Sequence, residues 1–157
     1  MTALATPIEA TTRWHLRAFR TGVALLGVVG LAHLLVKHVF NGPLPAGEQA
    51  VADLSAQTPT PMVEGWRAIT VLDLYTGYSV GMGILGTTFA VLAIVVARQA
   101  PQLIHAGSLF VATCFVTCAG TFAVSALYFP EPVVVFAGLS AACVGAVLFA
   151  GPSRAQA

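Results

Sequence analysis

Four long apolar runs constrain this chain more than any other feature of its sequence. They lie at about 21–40, 69–97, 102–129 and 133–149. Each can cross the hydrocarbon core of a bilayer as a helix, which takes about 20 mostly apolar residues. Only 8% of the 157 residues are charged, too few to give a globule of this size a polar surface. We therefore predict an all-α integral membrane protein, a four-helix bundle that forms a single membrane domain over 1–157.

The basic residues predict which way the bundle faces. The cytoplasmic ends of spanning helices carry an excess of arginine and lysine. Five arginines flank the helix ends that share one side: Arg13, Arg17, Arg20, Arg98 and Arg154. Both termini are therefore expected in the cytoplasm, with the long connection at 41–65 outside. The net charge is only +1, which excludes a nucleic-acid partner bound through counterion release.

Two further patterns predict local structure. Prolines on both sides of Gly47–Ala56 favour a short interfacial helix inside the long outer connection. In the second run, Gly77 and Gly81 form a G-x-x-x-G motif, which lets helix backbones approach closely. We expect the first and second helices to cross at these two glycines.

Two ionisable residues, His33 and Asp73, lie inside the apolar runs. A charged side chain at the bilayer centre costs at least about 2.5–3.5 kcal/mol, so such residues point to function by default. Each is seven residues from an aromatic residue at the outer boundary, Phe40 or Trp66, and therefore about 10 Å deep. The sequence predicts a His33–Asp73 pair at equal depth, joined by a hydrogen bond or through a small ligand. Two alternatives stay open: the pair only pins two helices together, or Asp73 pairs with Arg67.

As a candidate site, this pair has His33 as the catalytic acid or base and Asp73 as the group that orients it. The expected substrate-binding residues are those with polar groups nearby: Tyr75, Tyr78, Lys37 and Arg67. No metal site and no cofactor are expected. Bis-histidine haem is disfavoured because His33 and His38, five residues apart, do not share a face of an α-helix.

Short motifs suggest a resemblance. A G-x-x-H pattern occupies 30–33, a D-x-Y-x-G pattern occupies 73–77, and the last connection contains Pro130 and Pro132. The chain resembles a family of small bacterial four-helix integral membrane proteins in these features. The resemblance implies a four-helix fold and the bacterial inner (cytoplasmic) membrane. It points at His33, Asp73, Tyr75 and Gly77 without implying a reaction.

The leading functional hypothesis is an outward-opening polar pocket for a lipidic, isoprenoid or quinone-like ligand, with His/Asp proton-transfer chemistry. A non-enzymatic accessory or assembly subunit of a larger membrane complex is one alternative, and a small proton-coupled transporter is another. Whether the chain is an enzyme stays open. The expected partners are membrane lipids, a hydrophobic small molecule, and a second copy of the chain or a larger membrane complex.

Overall fold

The computed structural model describes residues 7–40, 42–60, 65 and 67–150. Within that part of the chain the structure is mostly helical. Four helical segments are long and apolar enough to cross a membrane: Arg13–Val39, Val71–Gln99, Leu109–Tyr128 and Glu131–Leu148. The four long apolar helices expected from the sequence are therefore confirmed.

The elements follow one another in a simple order. Helix α1 (Pro7–Leu34) continues into a π-helical turn (Leu35–Val39), and helix α2 (Ala46–Gln57), strands β1 (Pro59–Thr60) and β2 (Ile69–Thr70), and helix α3 (Val71–Gln99) follow. A 3₁₀ turn (Pro101–Leu103) then leads to helices α4 (Leu109–Tyr128) and α5 (Glu131–Leu148). Helix α2 matches the short helix expected at Gly47–Ala56.

Two helix boundaries differ from the sequence expectation. Helix α1 begins at Pro7, well before the apolar run, and includes both the arginine-bearing residues 13–20 and residues 7–12, which contain no arginine. Helix α4 begins at Leu109, seven residues later than expected, since the chain first turns at Gly107, whose φ is +74°. Ser108 is the N-cap of α4, and its hydroxyl accepts a hydrogen bond from the Val111 amide. His105 consequently lies in the connection and not in a helix.

The chain forms two compact units. Unit 1 comprises Met1–Val29 and Gly86–Ala157, and unit 2 comprises Gly30–Leu85. In unit 1 all four long helices contribute side chains to one apolar core, including Phe19 and Val23 from α1, Ala97 from α3, Cys118 from α4 and Val144 from α5. This unit therefore has the core of a four-helix arrangement.

Helices α1 and α5 approach each other closely at Gly22 in unit 1. A Cβ atom there would lie 2.8 Å from a methyl group of Val144 and 3.0 Å from the Ser140 carbonyl oxygen. The Ser140 hydroxyl donates to the Gly22 carbonyl oxygen at 2.7 Å and lies 3.3 Å from Cys118 Sγ. A buried serine thus finds hydrogen-bond partners where the absent side chain of Gly22 leaves room.

Unit 2 contains the end of α1, the π-helical turn, α2, the two short strands and the beginning of α3. The strands pair antiparallel, with Pro59 opposite Thr70, and the Val71 amide donates to the Thr58 carbonyl oxygen at 3.0 Å. These bonds connect the end of α2 to the start of α3 and so fix the positions of these two elements within unit 2.

The predicted helix crossing at Gly77 and Gly81 is wrong. Apart from the neighbouring residues and nearby backbone of α3 itself, no atom of the described residues lies within 4 Å of where a Cβ would be at either glycine. The close approach is instead at Gly83, where a Cβ would meet the Leu34 side chain at 2.5 Å and the Gly30 carbonyl oxygen at 3.2 Å. Since Gly83 is two residues beyond Gly81, it lies about 160° around the helix, on a different face.

Candidate functional site

The π-helical turn at Leu35–Val39 shapes the candidate site in unit 2. Its last bond joins the Phe40 amide to the Leu35 carbonyl oxygen at 2.8 Å, five residues apart. In an α-helix two residues five apart differ by about 140° around the axis, whereas a π-helical turn brings them onto one face. The expectation that His33 and His38 do not share a face is therefore wrong. Their ring centroids are 6.1 Å apart.

Both histidines share one hydrogen-bond partner on α3. His33 Nε2 lies 2.8 Å and His38 Nε2 lies 3.0 Å from Ser79 Oγ. Ser79 is buried, His33 is half-buried and His38 is exposed. Because a serine hydroxyl carries a single proton, at least one of the two imidazoles donates its Nε2–H to the oxygen. The three side chains thus form a cluster through which a proton can be exchanged.

Asp73 has a different role from the one expected. Its carboxylate accepts hydrogen bonds from the Thr70 amide at 3.0 Å and from the Thr70 hydroxyl at 2.9 Å. The Asp73 amide in turn donates to the Thr70 hydroxyl oxygen at 3.1 Å. This reciprocal arrangement is a capping box at the start of α3. It satisfies backbone donors that a helix N-terminus otherwise leaves without partners.

The structure has no direct hydrogen bond between the described side chains of His33 and Asp73, whereas a link through a small ligand stays a prediction. Among the described residues, the hydrogen bonds of the His33 ring go to Ser79 and those of the Asp73 carboxylate go to Thr70. Ser79 lies six residues after Asp73, about 9 Å further along the helix and on another face. Equal depth in the apolar runs did not predict these bonds, because the Asp73 side chain caps the first turn of α3 through Thr70.

An open cavity of about 790 Å³ adjoins the histidine–serine cluster. The π-helical turn, α2 and the first turns of α3 enclose it, all within unit 2. Its polar lining includes Lys37, His38, Tyr75 and Ser79, and its other lining residues include the apolar Leu44, Val51, Val71 and Leu72. The cavity therefore presents hydrogen-bonding groups beside an apolar surface.

The structure divides the predicted site residues between two places. Lys37 and Tyr75 line the cavity beside His38 and Ser79. Arg67, Asp73 and Tyr78 line a second, shallower depression on the first turns of α3. Of the predicted catalytic residues, only His33 belongs to the histidine–serine cluster.

Sequence reasoning missed His38 and Ser79 as site residues. Nothing in residues 35–39 distinguishes a π-helical turn from an α-helical one, since the segment has neither proline nor glycine.

The described residues include no group of three or more His, Cys, Asp or Glu side chains that could hold a metal ion.

Comparisons with protein-family models, with curated proteins and with solved structures gave no match to this chain. The resemblance to small bacterial four-helix membrane proteins consequently depends on its short motifs alone.

Proposed function

We propose that this protein binds an amphipathic molecule, such as a lipid, an isoprenoid or a quinone, in the cavity of unit 2. The observation that carries the proposal is the convergence of His33 and His38 on Ser79 beside a cavity with apolar walls. The polar end of the ligand contacts His38, Ser79 and Lys37. The apolar part lies along α2 and the first turns of α3.

The cluster suits proton exchange with the ligand. Among side chains, imidazole has the unperturbed pKa that lies closest to neutral pH. A proton taken up at His38 Nδ1 is balanced by transfer of the Nε2 proton to Ser79, whose own proton passes to His33 Nε2. His38 therefore exchanges protons with the ligand and His33 is the second acceptor. Asp73, as a capping residue, takes no part in the transfer.

We also propose the orientation and the membrane. Both termini and Arg98 lie on the cytoplasmic side, because arginines flank those helix ends. The cavity with α2 then opens towards the outer face. The membrane is the bacterial inner membrane, as the G-x-x-H and D-x-Y-x-G motifs imply.

A ligand-retention experiment tests the binding proposal. The protein is purified from membranes in mild detergent, and native mass spectrometry measures the amphipathic molecules retained. Ala52→Trp places an indole in the cavity, since Ala52 lines it. Ala50→Trp is the matched control, because Ala50 is exposed on the same helix and is not part of the lining. Loss of the bound molecule in Ala52→Trp alone is expected.

Equal retention by the two tryptophan variants would contradict the proposal.

A second pair of variants separates the effect of the polar contact from the effect of cavity volume. Ser79→Ala removes the shared hydroxyl, whereas Ser55→Ala removes a hydroxyl that lines the same cavity without contacting either histidine. We expect weaker retention in Ser79→Ala than in Ser55→Ala.

A second candidate function, an accessory subunit of a membrane complex, is favoured by one observation. The G-x-x-x-G motif at Gly77 and Gly81 has open space where its side chains would be. Such motifs pack helices within membranes, and a neighbouring chain is a suitable occupant. Gly81→Leu should then release a co-purifying protein, whereas for a stand-alone binding protein it should leave the purified material unchanged.

A further inference from the structure

The amino-terminal part of α1 carries a stripe of arginines. Arg13, Arg17 and Arg20 are spaced four and three residues apart, which places them on one face of the helix. The Arg20 guanidinium donates to the Ala97 carbonyl oxygen at 2.8 Å, in the last turns of α3. Arg98 is the next residue, so arginines of two helices meet at one end of unit 1.

Few carboxylates in the described part of unit 1 are available to balance the charges of Arg17, Arg20 and Arg98. Among the described side chains of unit 1 the one carboxylate belongs to Glu131, at the first residue of α5. The other end of α5 is joined to the connection after α3, because the Gly107 amide donates to the Leu148 carbonyl oxygen at 3.2 Å. Glu131 is therefore about 26 Å from the arginine end.

One acidic residue precedes the stripe in the sequence. Glu9 is four residues before Arg13, so it offsets a single charge at most. The carboxyl-terminal ends of helices α3 and α5 carry partial negative charge. At the end of α3, the Arg20 guanidinium already interacts with this charge through its hydrogen bond to the Ala97 carbonyl oxygen. Arg17 and Arg98 are both exposed. Arg17 and Arg20, three residues apart on one face of α1, repel each other, and a bound anion relieves the repulsion.

We propose that this end of unit 1 binds the headgroup of an acidic phospholipid through Arg17, Arg20 and Arg98. A guanidinium donates two parallel hydrogen bonds to phosphate oxygens, which a lysine cannot do. Trp14, which follows Arg13 in the sequence, is 42% exposed, and tryptophans are enriched at the level of lipid headgroups. A phospholipid is the natural anion, because these arginines belong to helices long and apolar enough to cross a membrane.

Lipid retention in nanodiscs of defined composition tests the proposal. The protein is reconstituted with mixtures of phosphatidylglycerol and phosphatidylcholine, and native mass spectrometry counts the lipids that stay bound. The intact protein should retain phosphatidylglycerol preferentially. Each arginine removed should reduce the preference about fivefold. The double change Arg17→Gln with Arg98→Gln should therefore reduce it roughly 25-fold.

Controls keep the outcome specific. Arg67→Gln removes a positive charge from unit 2 outside the cavity lining and should leave the preference unchanged. Arg17→Lys with Arg98→Lys keeps the positive charges but loses the paired hydrogen bonds, so its preference should fall between those of the intact protein and the glutamine double variant. Equal retention of both lipids by the intact protein would overturn the proposal. An equal loss in Arg67→Gln would also overturn it. So would displacement of the lipid by soluble glycerol phosphate, which would indicate a site for free anions. None of these results bears on the proposal that the cavity of unit 2 binds an amphipathic ligand.

Discussion

Ser79→Ala is the substitution with the most informative consequence, because it removes the hydroxyl that two imidazoles share. A typical hydrogen bond contributes about 0.5–1.5 kcal/mol to stability. We assign about 1 kcal/mol to the bond with the half-buried His33 and about 0.5 kcal/mol to the bond with the exposed His38, where water replaces the hydroxyl easily. The expected cost is about 1.5 kcal/mol. In a chain of this length it lowers Tm by about 3–6 °C.

Thermal unfolding in detergent measures this loss. Ser55→Ala is the matched control, since Ser55 also lines the cavity, and its Tm should stay within about 2 °C of the intact protein. A double-mutant cycle of His33→Ala with Ser79→Ala should show a coupling energy of about 1 kcal/mol. The same cycle with His15→Ala should be additive. Equal Tm values for the two serine variants, or additivity in the His33 cycle, would refute the shared hydrogen bond.

Three further results are expected. Gly22→Ala should cost about 1–3 kcal/mol through overpacking, whereas Gly120→Ala, on an open helix surface, should be neutral or stabilising; unfolding in detergent compares them. In a cysteine-free background, a membrane-impermeant thiol reagent added outside should label Ser55→Cys and spare Ser153→Cys, and the reverse pattern would invert the orientation. Asp73→Ala should lower Tm through loss of the capping box yet leave ligand retention intact; lost retention at an unchanged Tm would return Asp73 to the site.

The sequence predicted most of the helical framework for physical reasons. Apolar runs of about 20 residues have few alternatives to a spanning helix, and prolines on both sides of α2 isolated it as a separate helix. The capping box was also readable, since Thr70 and Asp73 have the spacing of that motif immediately before an apolar run. Treating Asp73 as an intramembrane charge hid this simpler role.

The site itself was less predictable. His38 lies on the same face as His33 only because the helix has one extra residue in the turn at Leu35–Val39. The residue types at 35–39 do not predict this extra residue. Which glycine meets the neighbouring helix likewise depends on helix rotation. Gly81 and Gly83 are equally small, yet packing against Leu34 selects Gly83. Tertiary packing decides both features, and a single sequence does not contain that information in readable form.

The most direct test of the binding account is to locate a bound lipid by photo-crosslinking. Bacterial cells expressing the protein are fed a fatty acid or an isoprenoid that carries a diazirine, illuminated, and the adducts are mapped by mass spectrometry. Occupancy of the cavity predicts adducts concentrated on α2 and the first turns of α3, at residues such as Val51, Leu72 and Tyr75, and lost in Ala52→Trp. Adducts spread evenly over exposed apolar positions of α4, such as Val116 and Leu127, and unchanged in Ala52→Trp, would contradict it.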